Sequence, residues 1–197
     1  MKKSIALLLF VAFTPILSFA QARSVVDPQH QTEVAVEYSY LRTNAPPAQC
    51  GCFSLNGGSI SVAQPFRSGR FAFVFDATVS HGSEIGTGGY DLTLSTFTGG
   101  VRYRPRPRAR WNPFGEVLVG VAHATGSLVD GATPAANDSA LVFASTIGGG
   151  LDRRLTRSWS LRLIEADYQL TTYSNRTNDH QNNLRISVGA AYHFGRR

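Results

Sequence analysis

The chain has 197 residues, a net charge of +6 and 43% hydrophobic residues, enough for one domain and a short appendage. Its only lysines are Lys2 and Lys3; every other basic residue is an arginine. A soluble secreted domain carries lysines on its water face, so their absence argues that much of this surface meets something other than water.

The appendage comes first. Lys2 and Lys3 precede an apolar run from Ile5 to Phe19, and Ala20-Gln21-Ala22 follows. This is the pattern of a secretory signal peptide, with cleavage after Ala20 or Ala22. Residues 1–22 are therefore read as leader and 23–197 as one exported domain, with a net charge of about +4 once the leader is removed. The run is too short for a lasting helical anchor. The only cysteines, Cys50 and Cys52, lie in a loop. An oxidising compartment allows a disulfide there, although the ring would be tight and strained. Two cysteines with no His or further Cys nearby make a poor zinc site.

Beyond the leader, period-two alternation recurs. Residues 32–42 place Val34, Val36, Tyr38 and Tyr40 on one face and Glu33, Ala35, Glu37 and Ser39 on the other. Residues 43–55, with Pro46 and Pro47, read as a loop. The second strand, 56–63, is the weakest, with Ile60 and Val62 in phase. Residues 70–80 alternate Phe71, Phe73, Phe75, Ala77 and Val79 with Ala72, Val74, Asp76 and Thr78. A Gly-rich loop, 81–89, follows.

In the fourth strand, 90–104, Tyr90, Leu92 and Leu94 share one phase while Phe97, Val101 and Tyr103 share the other. A slip near Ser95–Thr96 or a bulge at Gly99-Gly100 would reconcile them. The fifth strand, 113–124, sets Val117, Val119 and Val121 against Glu116, Leu118, Gly120 and Ala122. After a loop at 125–139, the sixth, 140–152, sets Leu141, Phe143, Ile147 and Leu151 against Ala144, Thr146, Gly148, Gly150 and Asp152. The seventh, 158–172, slips from Trp159, Leu161 and Leu163 to Ala166, Tyr168 and Leu170. A loop at 173–181 leads to the last strand, 182–194. There Leu184, Ile186, Val188, Ala190, Tyr192 and Phe194 alternate with Arg185, Ser187, Gly189, Ala191 and His193.

Eight strands with alternating longer and shorter connections predict an all-β, eight-stranded, antiparallel up-and-down transmembrane β-barrel. Most reach the length a tilted crossing needs. A soluble barrel with an apolar interior also alternates. Three features favour the membrane. The less apolar face is rich in Gly, Ala, Ser and Thr, which suits the narrow lumen of eight strands. Aromatics, including Phe71, Tyr103, Trp111, Phe114, Trp159 and Tyr192, gather near strand ends, where membrane girdles lie. The chain is also exported yet carries an apolar, aromatic-tipped last strand. The isolated charges Glu37, Asp76, Arg102, Glu116, Asp152 and Arg185 are then lumenal, and burial requires them to pair. The expected result is an Arg–carboxylate network that plugs the barrel. A narrow passive channel or proton path would instead need a continuous wet lumen.

The segments FTGGVRY (97–103), NPFGEVLVGVAH (112–123), IGGGLD (147–152) and Tyr192-His193-Phe194, in this order, resemble the small eight-stranded outer-membrane barrels of the OmpA-like and opacity-type family. The resemblance implies outer-membrane insertion in a Gram-negative-type bacterium and a largely closed barrel. It also implies roles in envelope integrity, adhesion or surface binding. The partners it implies are outer-membrane lipids, the barrel-insertion machinery acting on residues 184–194, and an extracellular ligand the sequence does not name. Nucleic acid is excluded by export, and no cofactor is implied.

The sharpest catalytic candidate is His81-Gly82-Ser83-Glu84, which resembles the site of outer-membrane lipid A deacylases, where a His base activates a Ser that cleaves an acyl ester. Its surroundings do not match that pattern, and the competing reading is an ordinary polar loop. The run Arg102, Arg104, Arg106, Arg108 and Arg110 shares one face when extended. With Arg67, Arg70, Arg153, Arg154, Arg157, Arg196 and Arg197 it reads as a periplasmic ring on acidic headgroups that fixes barrel depth. His123 and His193 read as hydrogen-bonded fillers of the less apolar face. Arg162 and Asp167 are left without an assigned face by the slip in the seventh strand. The leading expectation is a non-enzymatic scaffold whose four longer loops carry recognition.

Overall fold

The computed structural model describes residues 31–43, 52–66, 68–86, 88–127, 138–173 and 179–194. The expected signal peptide and Cys50 lie outside these residues, so the Cys50–Cys52 pairing does too; Cys52 is exposed. Eight strands follow one another: β1 (Thr32–Thr43), β2 (Phe53–Pro65), β3 (Phe71–Ile85), β4 (Tyr90–Tyr103), β5 (Trp111–Gly126), β6 (Asp138–Arg154), β7 (Trp159–Thr171) and β8 (Gln181–Phe194). Each pairs antiparallel with its neighbour, and β1 pairs with β8 from Thr32↔Phe194 to Thr43↔Asn183, which closes the sheet into a barrel. Closure removes every open edge, the condition for crossing hydrocarbon with strands. Among the described residues no helix is long and apolar enough to cross a membrane.

The strands outrun the sequence-based boundaries at the long-loop end. β2 starts at Phe53 rather than 56, β3 runs to Ile85 rather than 80, and β6 starts at Asp138 rather than 140. The sheet ladder continues where hydropathy stops, through pairs such as Asn56↔His81 and Gly126↔Asp138. Most of the added residues of β3 and β6 are polar or glycine, and the added Phe53 and Leu55 of β2 are cut off from Ile60 and Val62 by Asn56-Gly57-Gly58-Ser59, so no continuous alternation reached them.

The outward face is the apolar one. Val36 is 61% exposed, Phe73 52%, Val119 54% and Ile147 59%. At the short-turn end this face carries an aromatic girdle. The Phe71 and Tyr103 rings lie 4.9 Å apart, Trp159 and Tyr192 5.0 Å, and Tyr192 and Phe194 4.7 Å. Towards the loop end the tyrosines turn their hydroxyls to polar partners: Tyr38 donates to Asn56 at 2.7 Å, and Tyr40 and Ser54 share a 2.7 Å bond. Two such belts are what an outward face needs where hydrocarbon gives way to headgroups.

Of the two phase slips expected from the sequence, the structure removes one and keeps the other. β4 alternates without interruption from Thr93 to Tyr103 against β5, with no slip and no bulge at Gly99-Gly100. Leu92 and Leu94 belong to the inward face and are buried there. They join Leu41, Leu55, Ile85 and Ala122 in an apolar cap inside the loop end of the lumen. The change of phase is thus a change in what lines the lumen. β7 does slip, between Arg162 and Glu165. Two residues of β7 there oppose one of β8, and the register with β6 shifts at Leu151/Asp152. This bulge turns both Arg162 and Glu165 inward.

Candidate functional site: the charged lumen

Below the apolar cap, the inward face brings together charges from seven of the eight strands. Arg162 is their centre. Its Nε donates to Asp152 Oδ1 at 2.9 Å, its Nη1 to Glu37 Oε1 at 2.5 Å and Glu165 Oε2 at 3.0 Å, and its Nη2 to Glu33 Oε1 at 3.0 Å. Arg102 donates from Nε to Glu116 Oε2 at 2.6 Å and from Nη1 to Glu33 Oε1 at 3.0 Å. Arg104 Nη2 reaches both Glu33 oxygens at 2.8 Å and Asp152 Oδ2 at 3.3 Å.

Nearer the loops, Arg185 Nη1 donates to Asp76 Oδ1 at 2.8 Å and to Thr78 Oγ1 at 2.6 Å, and Nη2 lies 2.7 Å from Asp167 Oδ2. Glu165 joins the two tiers. Its Oε1 accepts from Arg185 at 3.2 Å while its Oε2 accepts from Arg162. Each guanidinium serves several carboxylates, so the lattice behaves as one unit rather than as separable pairs.

The six residues named from the sequence, Glu37, Asp76, Arg102, Glu116, Asp152 and Arg185, all lie in this lattice. They meet one another directly only in Arg102–Glu116 and Arg185–Asp76. The other links run through Glu33, Arg104, Arg162, Glu165 and Asp167, which the sequence reading did not assign to the network. Glu33 has the right phase in β1, and that phase was the available signal. Arg162, Glu165 and Asp167 were hidden by the β7 bulge.

Arg104 corrects the expected arginine ring. It lies beyond the end of β4, yet it and Arg102 are buried, at 6% and 1% exposure, leaving Arg106, Arg108 and Arg110 exposed. Opposed carboxylates draw both side chains inward. Phe114 is a second correction. It is inward and buried rather than part of the girdle, with the Arg102, Arg162 and Arg104 guanidiniums 4.4, 4.6 and 5.6 Å from its ring centre. An aromatic face among guanidiniums supplies cation–π attraction where no further carboxylate fits.

Backbone shape makes room for the lattice. Gly148 on β6 sits between Glu116 on β5 and Asp167 on β7. A Cβ there would run into the Asp167 carboxylate. His193 is inward and buried, with Nε2 2.7 Å from Ser160 Oγ and Nδ1 3.6 Å from Glu33. His123, expected on the same face, instead shares the outward phase of Val121.

Glu116, Glu165 and Asp167 offer oxygens within 4.8 Å of one another, the one such group among the described residues. All three already accept guanidinium bonds from Arg102, Arg162 or Arg185, which supply the positive charge an ion would bring. Over the apolar cap, Tyr173 packs from the loop side, and its hydroxyl donates to the Ala140 carbonyl at 3.4 Å. Burial pushes its phenol above the ordinary range, which keeps it a donor.

His81, Ser83 and Glu84 are strand residues of β3, not loop residues. His81 Nδ1 lies 2.9 Å from Thr93 Oγ1 on β4. Among the described residues no hydrogen bond joins His81 to Ser83 or Glu84. The Glu84 backbone takes a positive φ of 56°, and the pairing with β4 is irregular between Gly82 and Ile85. The structure therefore does not assemble the three into a base–nucleophile pair.

A closed meander with an apolar outer face, two aromatic belts and a buried charged interior is an integral β-barrel of the outer-membrane type. Solved structures of outer-membrane proteins share this fold. Neisserial surface protein A is 13% identical, with a TM-score of 0.63 over 83% of this chain and 97% of its own. The attachment invasion locus protein Ail of Yersinia pestis is 14% identical, with a TM-score of 0.58 over 84% of this chain and 99% of its own. OprG of Pseudomonas aeruginosa is 11% identical, with a TM-score of 0.51 over 85% and 97%. At these identities the likeness is one of fold. No protein-family model matches the chain, and no curated protein matches it in sequence.

Proposed function

We propose that this protein is a non-enzymatic outer-membrane scaffold whose barrel is shut to solutes and whose four loop-end connections carry surface recognition. One observation carries the first half. Arg102, Arg162 and Arg185, the largest fully buried side chains of the barrel, have 1%, 0% and 2% of their surface accessible. Water standing in a channel would leave accessible area on these guanidiniums. The apolar cap of Leu55, Leu92 and Leu94 above them adds a second barrier that ions cross only at high cost.

The second half follows from where variation is free. The strands are committed to lipid on one side and to the lattice on the other, which leaves the connections between β1 and β2, β3 and β4, β5 and β6, and β7 and β8 for contact with a partner. Ail, one of the proteins that share the fold, is named for attachment. Fold alone does not carry that role over, and the recognised surface here belongs to this chain's own loops. Insertion by the barrel-assembly machinery acting on the last strand, around Leu184 and Phe194, belongs to the same reading.

The test is conductance in a planar bilayer after reconstitution of the refolded protein. A shut barrel gives no steady current at moderate voltage. A stable ohmic step in every insertion event would replace the scaffold reading with a channel.

A further inference from the structure

Two short turns meet at the end of the barrel opposite the loops. In the first, between β2 and β3, the Gly69 N–H donates to the Phe66 carbonyl at 2.8 Å and the Phe66 N–H to the Phe71 carbonyl at 2.8 Å. Gly69 takes a φ of 66°, which suits a residue without Cβ. In the second, between β4 and β5, the Ala109 N–H donates to the Arg106 carbonyl at 3.0 Å. Pro105 and Pro107 fix the backbone on either side of Arg106. The Arg104 N–H donates to the Arg70 carbonyl at 2.6 Å and ties the two turns together.

Between them is a pocket of about 280 Å³ lined by Ser68, Arg70, Arg106 and Arg108 and walled by Pro105 and Pro107. The lining holds three guanidiniums and no carboxylate. The aromatic girdle is next to it in the chain: Phe71 directly follows Arg70, the Tyr103 ring meets Phe71 at a tilt of 42°, and Trp111 begins the next strand.

We propose that this pocket binds the phosphate of an anionic phospholipid of the periplasmic leaflet, whose acyl chains lie along the outward faces of Phe71 and Tyr103. The proposal rests on the outer-membrane reading above, which puts short turns on the periplasmic side. Guanidiniums match phosphate oxygens with paired, directional N–H donors. The aromatic girdle next to the pocket, Phe71 and Tyr103, favours the lipid over free phosphate, because a small anion gains nothing from it. General attraction of arginines to a charged surface needs no pocket. Here two turns are bonded together, and the backbone of Arg70 is held by Arg104, itself anchored in the lumen lattice.

The experiment reads the one tryptophan left in W159F, Trp111, two residues after Ala109 of the pocket lining. The protein is reconstituted in phosphatidylcholine bilayers containing a fixed fraction of brominated phosphatidylglycerol or, separately, brominated phosphatidylcholine. Folding is checked by heat-modifiable migration. The expected result is a local excess of the brominated phosphatidylglycerol of about fivefold, the preference given by one well-placed arginine. R70Q/R106Q in the same background should lose it while remaining folded. Equal quenching by the two lipids, or an excess that survives R70Q/R106Q, overturns the pocket and leaves the barrel reading standing. Inorganic phosphate should reduce the excess more than chloride at equal ionic strength, by competing for the same guanidiniums; equal loss with both salts reduces the excess to general surface attraction and overturns the pocket. Quenching by neither lipid removes the membrane barrel itself.

Discussion

Arg162 and Glu165 stand three residues apart on β7, yet both point into the lumen, where Arg162 Nη1 lies 3.0 Å from Glu165 Oε2. In an unbroken strand, residues three apart face opposite sides. The bulge between them supplies the missing half-period, and Leu163 is its extra residue.

Removing that residue should therefore be tolerated. Deletion of Leu163 restores plain alternation, with Arg162 in, Ile164 out and Glu165 in, and keeps the pairing of Arg162 with Gly189 and of Glu165 with Ser187. Deletion of Ala166 instead throws Asp167 and Gln169 onto the lipid face. The expected outcome is a heat-modifiable, folded band for the first deletion and none for the second.

Arg162 should be the costliest side chain in the lattice to remove. Arg162→Met leaves Glu33, Glu37, Asp152 and Glu165 buried with one guanidinium fewer. Breaking a buried pair from one side costs about 3–5 kcal/mol. Reversible urea unfolding in lipid vesicles measures this. Arg106→Met, exposed in a turn, should cost within about 0.5 kcal/mol in the same assay.

The outward face should show the depth dependence of a membrane surface. Val119, midway along β5, should lose about 2–4 kcal/mol on substitution by Arg, whereas Trp159, at the girdle, should lose no more than about 1 kcal/mol of charge cost beyond its lost ring. Equal penalties at the two depths would mean that no hydrocarbon layer surrounds the barrel.

Gly148→Val tests the packing of the lattice from the backbone side. The new side chain meets the Asp167 carboxylate, which is bonded to Arg185, and the backbone carbonyl of Ala166, which belongs to the β6–β7 ladder. The refolding yield should fall sharply. Gly115→Val on the outward phase of β5 meets only the Gly148 carbonyl, 3.7 Å from its Cβ, and should refold normally.

Most of the outer face was legible in the sequence, because alternation reports it directly: Val36, Phe73, Val119 and Ile186 each sit in a clean period-two run. The lumen was legible only by position. Alternation put Glu37, Asp76 and Glu116 on the inner face, but not their partners, since Arg102 on β4 meets Glu33 on β1 only once the barrel has closed. Two features misled. The inward leucines of β4 looked like a slip because an apolar cap shares the lumen with the charges. Phe114 looked like girdle because an aromatic near a strand end reads as interfacial until its phase is set by Glu116 and Leu118 beside it. Arg104 shares the phase of Arg102 but reads with the turn arginines that follow it, because its partners Glu33 and Asp152 come from β1 and β6 and meet it only in the closed barrel.

The central claim, hydrocarbon outside and a sealed lattice inside, is tested most directly by spin labels placed one at a time at Val117, Val119 and Val121 of the bilayer-reconstituted protein. Accessibility is measured to oxygen, which partitions into lipid, and to a water-soluble nickel chelate. The expected result is high oxygen and low nickel accessibility at all three positions, with the oxygen signal greatest at Val119. High nickel accessibility at Val119 would contradict it.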